Sequence, residues 1–560
     1  MSVADPIPPA PMTLPRSAIG SRVFSVENPD GWTAYAAEYE RPLAESVLFA
    51  GLRSDAPLEL AVDEAGVSAA GVSAAGAGTL SWRDPDGRRR RADPDGQAWR
   101  WEASGGSGPV ELARHAATAA RQGADWAAWD ARCPVVDERF AATTRLCWRT
   151  LGLNTVRLRS HPGVLAVVPS LFGYVGAWQW DAYFIALGLR HGHPALARDQ
   201  LRLVTGAQLP DGQLPDVVHD GGVLANGRDL PPADRQRLLE HGSSYAGAEV
   251  PLTKPPLLLW TAEQLHAVAP DDAFLAEMIE RARANHDWWY RDSVREGQPC
   301  YLHPYSSGLD DSPAFDAPAG PTPDLAAYLI TADRLMEALR PEASDPQRRA
   351  RTADWLSRQT GAATVIDLLA LFAGGPERRH PESPTDRPEH SANRHPEPSA
   401  NRHPEPSANR HPEPSANRHL EPPTNRHPGE RRDLSPARAA ELATALADPH
   451  RFGGPTAVAT VSRQEPAYSA GRLWRGPVWL NTNLLLAAGL RANGFAELAA
   501  AVEASSLRLV EAGGPYEYFD DDTGTPASTA VPFFGWTAAI YVDLAVRLSA
   551  GSARSAGPNH

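Results

Sequence analysis

The chain has 560 residues, with 54 basic against 68 acidic side chains and a formal charge of −14. That length exceeds one ordinary domain of about 150 residues and allows several units, or one large barrel with a smaller partner. The acidic balance argues against a nucleic-acid-binding body, three cysteines (Cys133, Cys147, Cys300) cannot build a disulfide framework, and no apolar run of about 18 residues could span a membrane.

The amino-terminal segment carries no signal-peptide pattern, so a cytoplasmic location is expected. Residues 1–18, rich in Pro and small residues, read as a disordered tail. Residues 19–115 read as a small antiparallel β domain. Asp84-Pro85-Asp86-Gly87 and Asp93-Pro94-Asp95-Gly96 are turn signals, and Ala98-Trp99-Arg100-Trp101-Glu102 alternates apolar and polar with period two. Within this region the five-residue repeat from Gly66 to Gly78 is expected to be a loop. The run Arg88 to Arg91 is expected to be a solvated hairpin tip.

From about Val110 the composition turns rich in Ala, Leu and Arg, and residues 116–550 read as a helical catalytic domain. The expected helices are Asp137–Leu151, Asp181–Gly192, Pro194–Thr205, Pro256–Ala269, Asp272–Tyr290, Asp324–Leu339, Thr352–Phe372, Pro436–Ala447, Pro477–Ala492, Phe495–Ala512 and Phe534–Leu548. Most place apolar residues three and four apart. About a dozen helices with elaborate connections imply a closed α/α toroid. No period of about 30–45 residues supports a superhelical array.

Residues 376–432 interrupt this pattern with the octapeptide SANRHPEP, starting at Ser391, Ser399 and Ser407, and a decayed copy at Ser415. Between Pro376 and Pro428 lie 13 of the 53 prolines and 7 of the 18 histidines. With almost no large apolar side chain to offset its ordering entropy, this segment reads as a disordered insertion. Its recurring His395, His403, His411 and His419 reflect repeat expansion better than metal ligation, since no geometry forces the rings together.

Five clusters carry the chemistry: Gly176–Phe184, Gln208–Pro215, Ser307–Pro313, Leu473–Asn481 and Tyr516–Asp520. Singly, each has a structural reading as core aromatics, a turn, a helix cap or a surface ion pair. Together they set indoles beside carboxylates and a guanidinium. Such loops suit a cleft that stacks a sugar face on Trp and hydrogen-bonds its hydroxyls. Cleaving a glycosidic bond requires two opposed carboxyl groups, and Asp310 and Glu517 are the candidates.

The ordered series Trp178-x-Trp180-Asp181, Gln208–Pro215, Lys254-Pro255-Pro256, Ser307–Pro313, Trp474–Trp479 and Glu517–Asp520 resembles glycoside hydrolase family 63. The similarity is greatest to its bacterial mannosylglycerate/glucosylglycerate hydrolase-like branch, and more distant to trehalases. It runs from about Asp137 to Leu548 apart from the insertion. The resemblance implies a mainly α fold, an (α/α)6 barrel (a six-hairpin glycosidase) beside the small β domain. It also implies hydrolysis of an α-glucosyl or α-mannosyl bond with inversion, no metal, and no cofactor. Asp310 falls on the general acid and Glu517 on the general base. Trp178, Trp180, Asp181, Gln213, Trp474, Arg475, Trp479 and Trp536 fall on sugar-binding positions, with Tyr305 at the rim. The expected partner is a small oligosaccharide or glycosyl-glycerate, with neither nucleic acid nor membrane.

Three departures stand out. Asp311 replaces the usual Asn and sets a second charge beside the acid. Lys254 stands where Gln is usual and could favour an anionic aglycone. The segment between Leu339 and Pro436 is abbreviated, which implies an incomplete helical hairpin. Two other classes fit parts of the pattern: a sugar isomerase or epimerase, for which His303 is the nearest histidine, and a catalytically impaired sugar-binding protein.

Overall fold

In this computed structural model the described residues are strand segments between 23 and 102 and, from 107, the chain to 555 without 159, 162, 172–173, 220, 241–242, 318–319, 375–432 and 455–457. The expected tail (1–18), both Pro-Asp-Gly turns and the octapeptide segment lie outside them.

The amino-terminal part is β-structure. The strands are β1 (Val23–Glu27), β2 (Thr33–Ala37), β3 (Glu40–Arg41), β4 (Ala44–Glu45), β5 (Phe49–Ser54), β6 (Leu58–Asp63), β7 (Gly66–Gly71), β8 (Leu80–Arg83), β9 (Arg89–Ala92), β10 (Ala98–Glu102) and β11 (Ser107–Val110). They form a five-stranded antiparallel sheet ordered β1-β2-β5-β8-β9 and a four-stranded one ordered β11-β10-β7-β6, with β3 and β4 paired separately. Two expectations are corrected here. The first half of the Gly66–Gly78 repeat is not a loop but β7, an inner strand paired with both β6 and β10. Its buried Ser68 and Ala70 are small enough for a helix to lie close across them. Of the Arg88–Arg91 run, Arg89–Arg91 lie not at a hairpin tip but along edge strand β9, where charge discourages pairing with another chain.

Helix α1 (Leu112–Asp130) links the sheet to the helices. Ser68 Oγ on β7 and His115 Nδ1 on α1 share a buried hydrogen bond of 2.9 Å. At its other end Trp129 stacks on Trp148 of α2 (Glu138–Leu153), ring centroids 4.9 Å apart. Each indole N–H donates to the other residue's carbonyl at 2.8 Å. The stacked pair adds about 0.5–1.5 kcal/mol beyond its buried area.

The rest is a double ring of helices. The inner ring is α3 (Gln179–Leu189), α6 (Leu258–Val268), α8 (Pro323–Leu339), α10 (Val365–Leu368, continued as the 3₁₀ turn Leu369–Ala373), α12 (Leu480–Ala492) and α14 (Gly535–Ser555). Each packs on the next, and α14 returns to α3. Outside lie α4 (Pro194–Gly206), α7 (Asp272–Asp292), α9 (Pro346–Ser357), α11 (Pro436–Ala447) and α13 (Ala496–Gly513), each against the inner helix before it, while α2 covers α14. This is the expected (α/α)6 barrel, closed by pairing its first and last helices. Every residue of α3 is buried, whereas α4 and α7 bury one face. Closure is tight: a Cβ on Gly188 of α3 would lie 2.5 Å from Ala539 of α14. Across the same seam Asp543 accepts from Arg190 and His191 at 2.7 Å each, all three deeply buried.

The expected helix Thr352–Phe372 is in fact two elements, α9 and α10. Apolar spacing carries across the join, but Gly361 adopts φ +83° and Thr364 starts α10 with a capping box to Asp367. The hairpin taken as incomplete is present, because α10 pairs with α11. The two ends of the long interruption meet on Arg334 of α8, whose guanidinium donates to the Gly374 carbonyl at 2.7 Å and to Asp433 at 3.1 Å. Sequence patterning also missed α1 and a short helix, α5 (Pro232–Glu240), within the connection from α4 to α6. Among the described residues no helix is long and apolar enough to cross a membrane.

Candidate active site

In such a barrel all connections from an outer helix to the next inner helix emerge at one end. Every motif singled out in the sequence lies on one of these connections or in the first turns of the helix it enters. Trp178–Asp181 enters α3, Gln208–Pro215 and Lys254 precede α6, Ser307–Pro313 precedes α8, Leu473–Asn481 enters α12, and Tyr516–Trp536 enters α14. The return connections are short, save the one from α10 to α11 that carries the repeat. Its described ends, Gly374 and Asp433, lie at the opposite end of the barrel from the motifs.

The loop bearing Asp310 is fixed by its own backbone. Pro304–Ser307 forms a 3₁₀ turn, with His303 Nδ1 accepting from the Tyr305 N–H at 3.1 Å and Ser307 Oγ accepting from the Leu309 N–H at 2.9 Å. Gly308 then reverses the chain at φ +72°, and a Cβ there would lie 2.2 Å from the Trp180 ring. Only glycine allows both the left-handed backbone and that approach. Asp311 turns away from its neighbour. Its carboxylate accepts from Arg472 Nε at 2.8 Å and from the Trp474 N–H at 2.9 Å, which staples this loop to the one entering α12.

Asp310 is left partly exposed, and its Oδ1 has no hydrogen-bond partner among the described residues. Burial, opposed by Lys254 and assisted by Asp216, Asp311 and Asp234, pushes its carboxyl up to about 7. Glu517 is buried, its backbone N–H donating to the Val531 carbonyl at 2.9 Å. Its carboxyl is pushed up to about 8 by burial, against hydrogen bonds from the Val531 N–H and the Tyr174 hydroxyl, with Asp310 contributing. The two candidate carboxyls therefore feel each other's charge and both take up protons near neutrality.

The tryptophans form a continuous cluster and not a row of open platforms. Trp474 and Trp479 stack at 3.7 Å, Trp479 and Tyr518 at 4.5 Å, and Trp536 meets Trp180 edge-on at 5.6 Å. All four indoles are at most 3% exposed. Edge-to-face and stacked contacts satisfy these rings mutually, so Trp479 in particular has no free face for a sugar. Trp178 is partly exposed, against Tyr174. Trp536 keeps its Nε1 without a partner among the described residues. Asp181 is buried and pushed well up by burial. The Gln213 amide donates to the Ala225 and Leu252 carbonyls at 2.8 Å each and so braces a loop.

A pocket of about 300 Å³ opens onto Asp310. Among its walls are the expected Tyr305 and Arg475, together with Arg237, Ser243, Ser244 and Arg472, which the sequence did not single out. Arg475 forms a two-pronged pair with Asp316. Arg237 sits on α5, a helix with no motif around it, and only its place in the fold reveals it. Asp216 and Tyr174 were also missed, although each lies at or near the edge of a recognised cluster. Neither Glu517 nor Asp181 reaches the pocket wall. The lining holds three guanidiniums, each with a carboxylate of its own: Arg237 with Asp234 at 3.2 Å, Arg472 with Asp311 at 2.8 Å, and Arg475 with Asp316. Lys254 is not free to meet an anion: its Nζ lies 2.9 Å from Asp216 and also donates to the Tyr305 carbonyl.

A family model described as the mannosylglycerate hydrolase MGH1-like glycoside hydrolase domain matches residues 174–377 and 431–537. The matched spans include every candidate residue, and the break falls on the repeat. A mannosylglycerate hydrolase from Thermus thermophilus is 28% identical over 411 residues, 67% of this chain and 95% of that protein. Mannosylglycerate hydrolase MGH1 from Selaginella moellendorffii is 26% identical over 444 residues, 72% of this chain and 88% of that one. In fold, the crystal structure of an uncharacterized conserved protein, also from Thermus thermophilus, aligns with a TM-score of 0.50 at 22% identity, covering 71% of this chain and 98% of that one.

Proposed function

Because the chain belongs to the mannosylglycerate hydrolase MGH1-like glycoside hydrolase family, we propose that this glycosidase hydrolyses an α-mannosyl or α-glucosyl bond to a small anionic aglycone of the glycerate type, by a single inverting displacement. The observation that carries the reading is the pairing of Asp310 with Glu517. Two carboxyls on loops from different parts of the chain share one electrostatic environment at the motif-bearing end of the barrel, and each takes up a proton near neutrality.

Asp310, which lines the pocket, protonates the departing glycosidic oxygen. Glu517, anchored by Tyr174 and Val531, takes a proton from the water that attacks the opposite face of the sugar. Inversion of this kind needs roughly 6.5–9.5 Å between the two carboxyls, room for one water. The acid and base roles require the singly protonated pair with its proton on Asp310, while burial makes Glu517 hold a proton at least as readily in the free site.

The pocket lies on the Asp310 side of the pair and stops short of Glu517, and its volume, near the lower end of the roughly 300–1,000 Å³ typical of small-molecule sites, suits a short aglycone better than a glucan chain. The three guanidiniums in the pocket wall offer donors to a carboxylate, and the names of the relatives point to the same substrate class. Within the binding machinery, Trp178 and Tyr305 are the aromatic residues with accessible faces, and Trp536 Nε1 supplies a free donor. Trp180, Trp474 and Trp479 hold the site's shape, and Gln213 braces its loop. An isomerase is disfavoured, since His303 is buried and pushed down to about 4 by burial and by Lys254.

A substrate panel tests the proposal. Full-length protein should release hexose from mannosylglycerate or glucosylglycerate with kcat/KM about 10-fold or more above the matching uncharged glycosylglycerol, the worth of one hydrogen bond to a charged group. Equal turnover of the neutral analogue, trehalose or short α-glucans would contradict the anionic-aglycone assignment.

A further inference from the structure

Four segments of the site converge on one buried cation. Lys254 Nζ lies 2.9 Å from Asp216 Oδ1 and donates to the Tyr305 carbonyl, with both charged side chains at most 6% exposed. The backbone around it is equally constrained. Gln179 Oε1 accepts from the Lys254 N–H and from the Thr253 hydroxyl, each at 3.0 Å. The Gln179 N–H donates to the Asp216 carbonyl at 3.0 Å, and the Thr253 N–H to Ser306 Oγ at 3.3 Å. The segments 178–181, 216, 253–254 and 305–306 thus form one polar knot. It joins the loop that delivers Asp181 to the loop that delivers Asp310.

We propose that Lys254 is a positioning residue for the hydrolytic reaction, its ammonium locked between Asp216 and the Tyr305 carbonyl so that one fixed positive charge stands beside the acid Asp310 and tunes when that acid gives up its proton. The proposal deepens the assignment of Asp310 as general acid and rests on it. Isolated burial of a lysine charge is costly. Here burial works against the charge, but Asp216, Asp310 and Asp181 outweigh it and hold the ammonium above the usual lysine range. Its remaining neighbours add no competing cation: His303 is kept neutral, and Asp234 is paired with Arg237 at 3.2 Å. Asp310 itself faces Lys254, Asp216, Asp311, Asp234 and Glu517, and shares its pocket with Arg237, Arg472 and Arg475, each paired with a carboxylate of its own. Among the groups that act most strongly on Asp310, the lysine is the one that favours the ionised acid. A cation near a carboxyl lowers its proton affinity by about one unit or more. The influence of Lys254 on Asp310 exceeds that of Asp216.

The test is a carbon-13 NMR titration of side-chain carboxyls in the full-length protein, with the Asp310 signal identified by its loss in Asp310→Asn. In Lys254→Met the Asp310 titration should move up by about one pH unit or more, and the pH optimum of kcat/KM on the best glycosylglycerate should rise with it. In Asp216→Asn, where the Tyr305 carbonyl and Asp310 still hold the lysine, the titration should move down. Should Lys254→Met fail to fold because Asp216 is left unpaired, the double variant Asp216→Asn/Lys254→Met keeps the question open to measurement. It too should titrate higher than wild type. An Asp310 signal unmoved in a folded lysine variant would overturn the proposal and leave the pair a structural brace. Failure of the acid assignment would look different, as full activity in Asp310→Asn whatever the titration shows.

Discussion

Asp310→Asn is expected to lower kcat for a glycosylglycerate by about 10²–10⁴-fold, the usual worth of a positioned general acid. The variant keeps size and shape, and Asp310 Oδ1 has no protein partner to lose among the described residues. Burial and the nearby carboxyls of Asp216, Asp311 and Asp234 oppose its ionised form. Thermal stability near neutral pH should therefore be unchanged or higher. The loss should depend on the leaving group. Fluoride leaves an α-glycosyl fluoride without protonation, so that substrate should still turn over, whereas a glycosylglycerate, whose glycerate is a poor leaving group as an alkoxide, should not. Near-normal hydrolysis of the glycosylglycerate by this variant would remove Asp310 from the acid role.

Glu517→Gln should produce a comparable loss, about 10²–10⁴-fold, with the opposite dependence. A base is needed to activate water whatever leaves, so the fluoride and the glycosylglycerate should be affected alike. The amide retains an acceptor oxygen for the Tyr174 hydroxyl or the Val531 N–H, and the backbone pairing with Val531 is untouched. Folding should survive. Measuring kcat for both substrates in both variants separates the two roles. A Glu517→Gln enzyme that still turns over the fluoride at the wild-type rate would reject Glu517 as the base.

Much of this architecture can be read from residue order. Helical periodicity located nearly every barrel helix within a few residues, because buried faces recur at fixed spacing. It failed where the pattern carries no record of backbone reversal. Gly361 breaks the apparent Thr352–Phe372 helix, and the apolar residues on either side keep the same spacing. The Gly66–Gly71 strand looked like a loop because small residues have low strand propensity. Its pairing on both edges and its contact with α1 override that preference. The carboxyls stood out because their motifs are dense and ordered.

Polar partners are less legible, since they meet only when distant loops fold together. Asp216 adjoins a recognised motif, yet nothing local marks it as the partner of Lys254. The lysine itself invited a reading as an anion-binding residue and is instead consumed by an internal ion pair. Asp311 likewise drew attention as a charge beside the acid. Its principal contacts are with Arg472 and the Trp474 backbone, so it joins loops more than it tunes its neighbour. Most of the tryptophans in these motifs are buried against one another, which suits a frame better than open sugar platforms. Arg237 and Arg472 had no sequence signal, because a guanidinium on a long loop is ordinary until the fold turns it inward.

The central claim is single displacement between Asp310 and Glu517, and the configuration of the first-formed sugar tests it most directly. Proton NMR of a fast hydrolysis, recorded before mutarotation, should show the β-anomer of the released hexose appearing first from an α-linked glycosylglycerate. Appearance of the α-anomer first would mean net retention and would contradict the account.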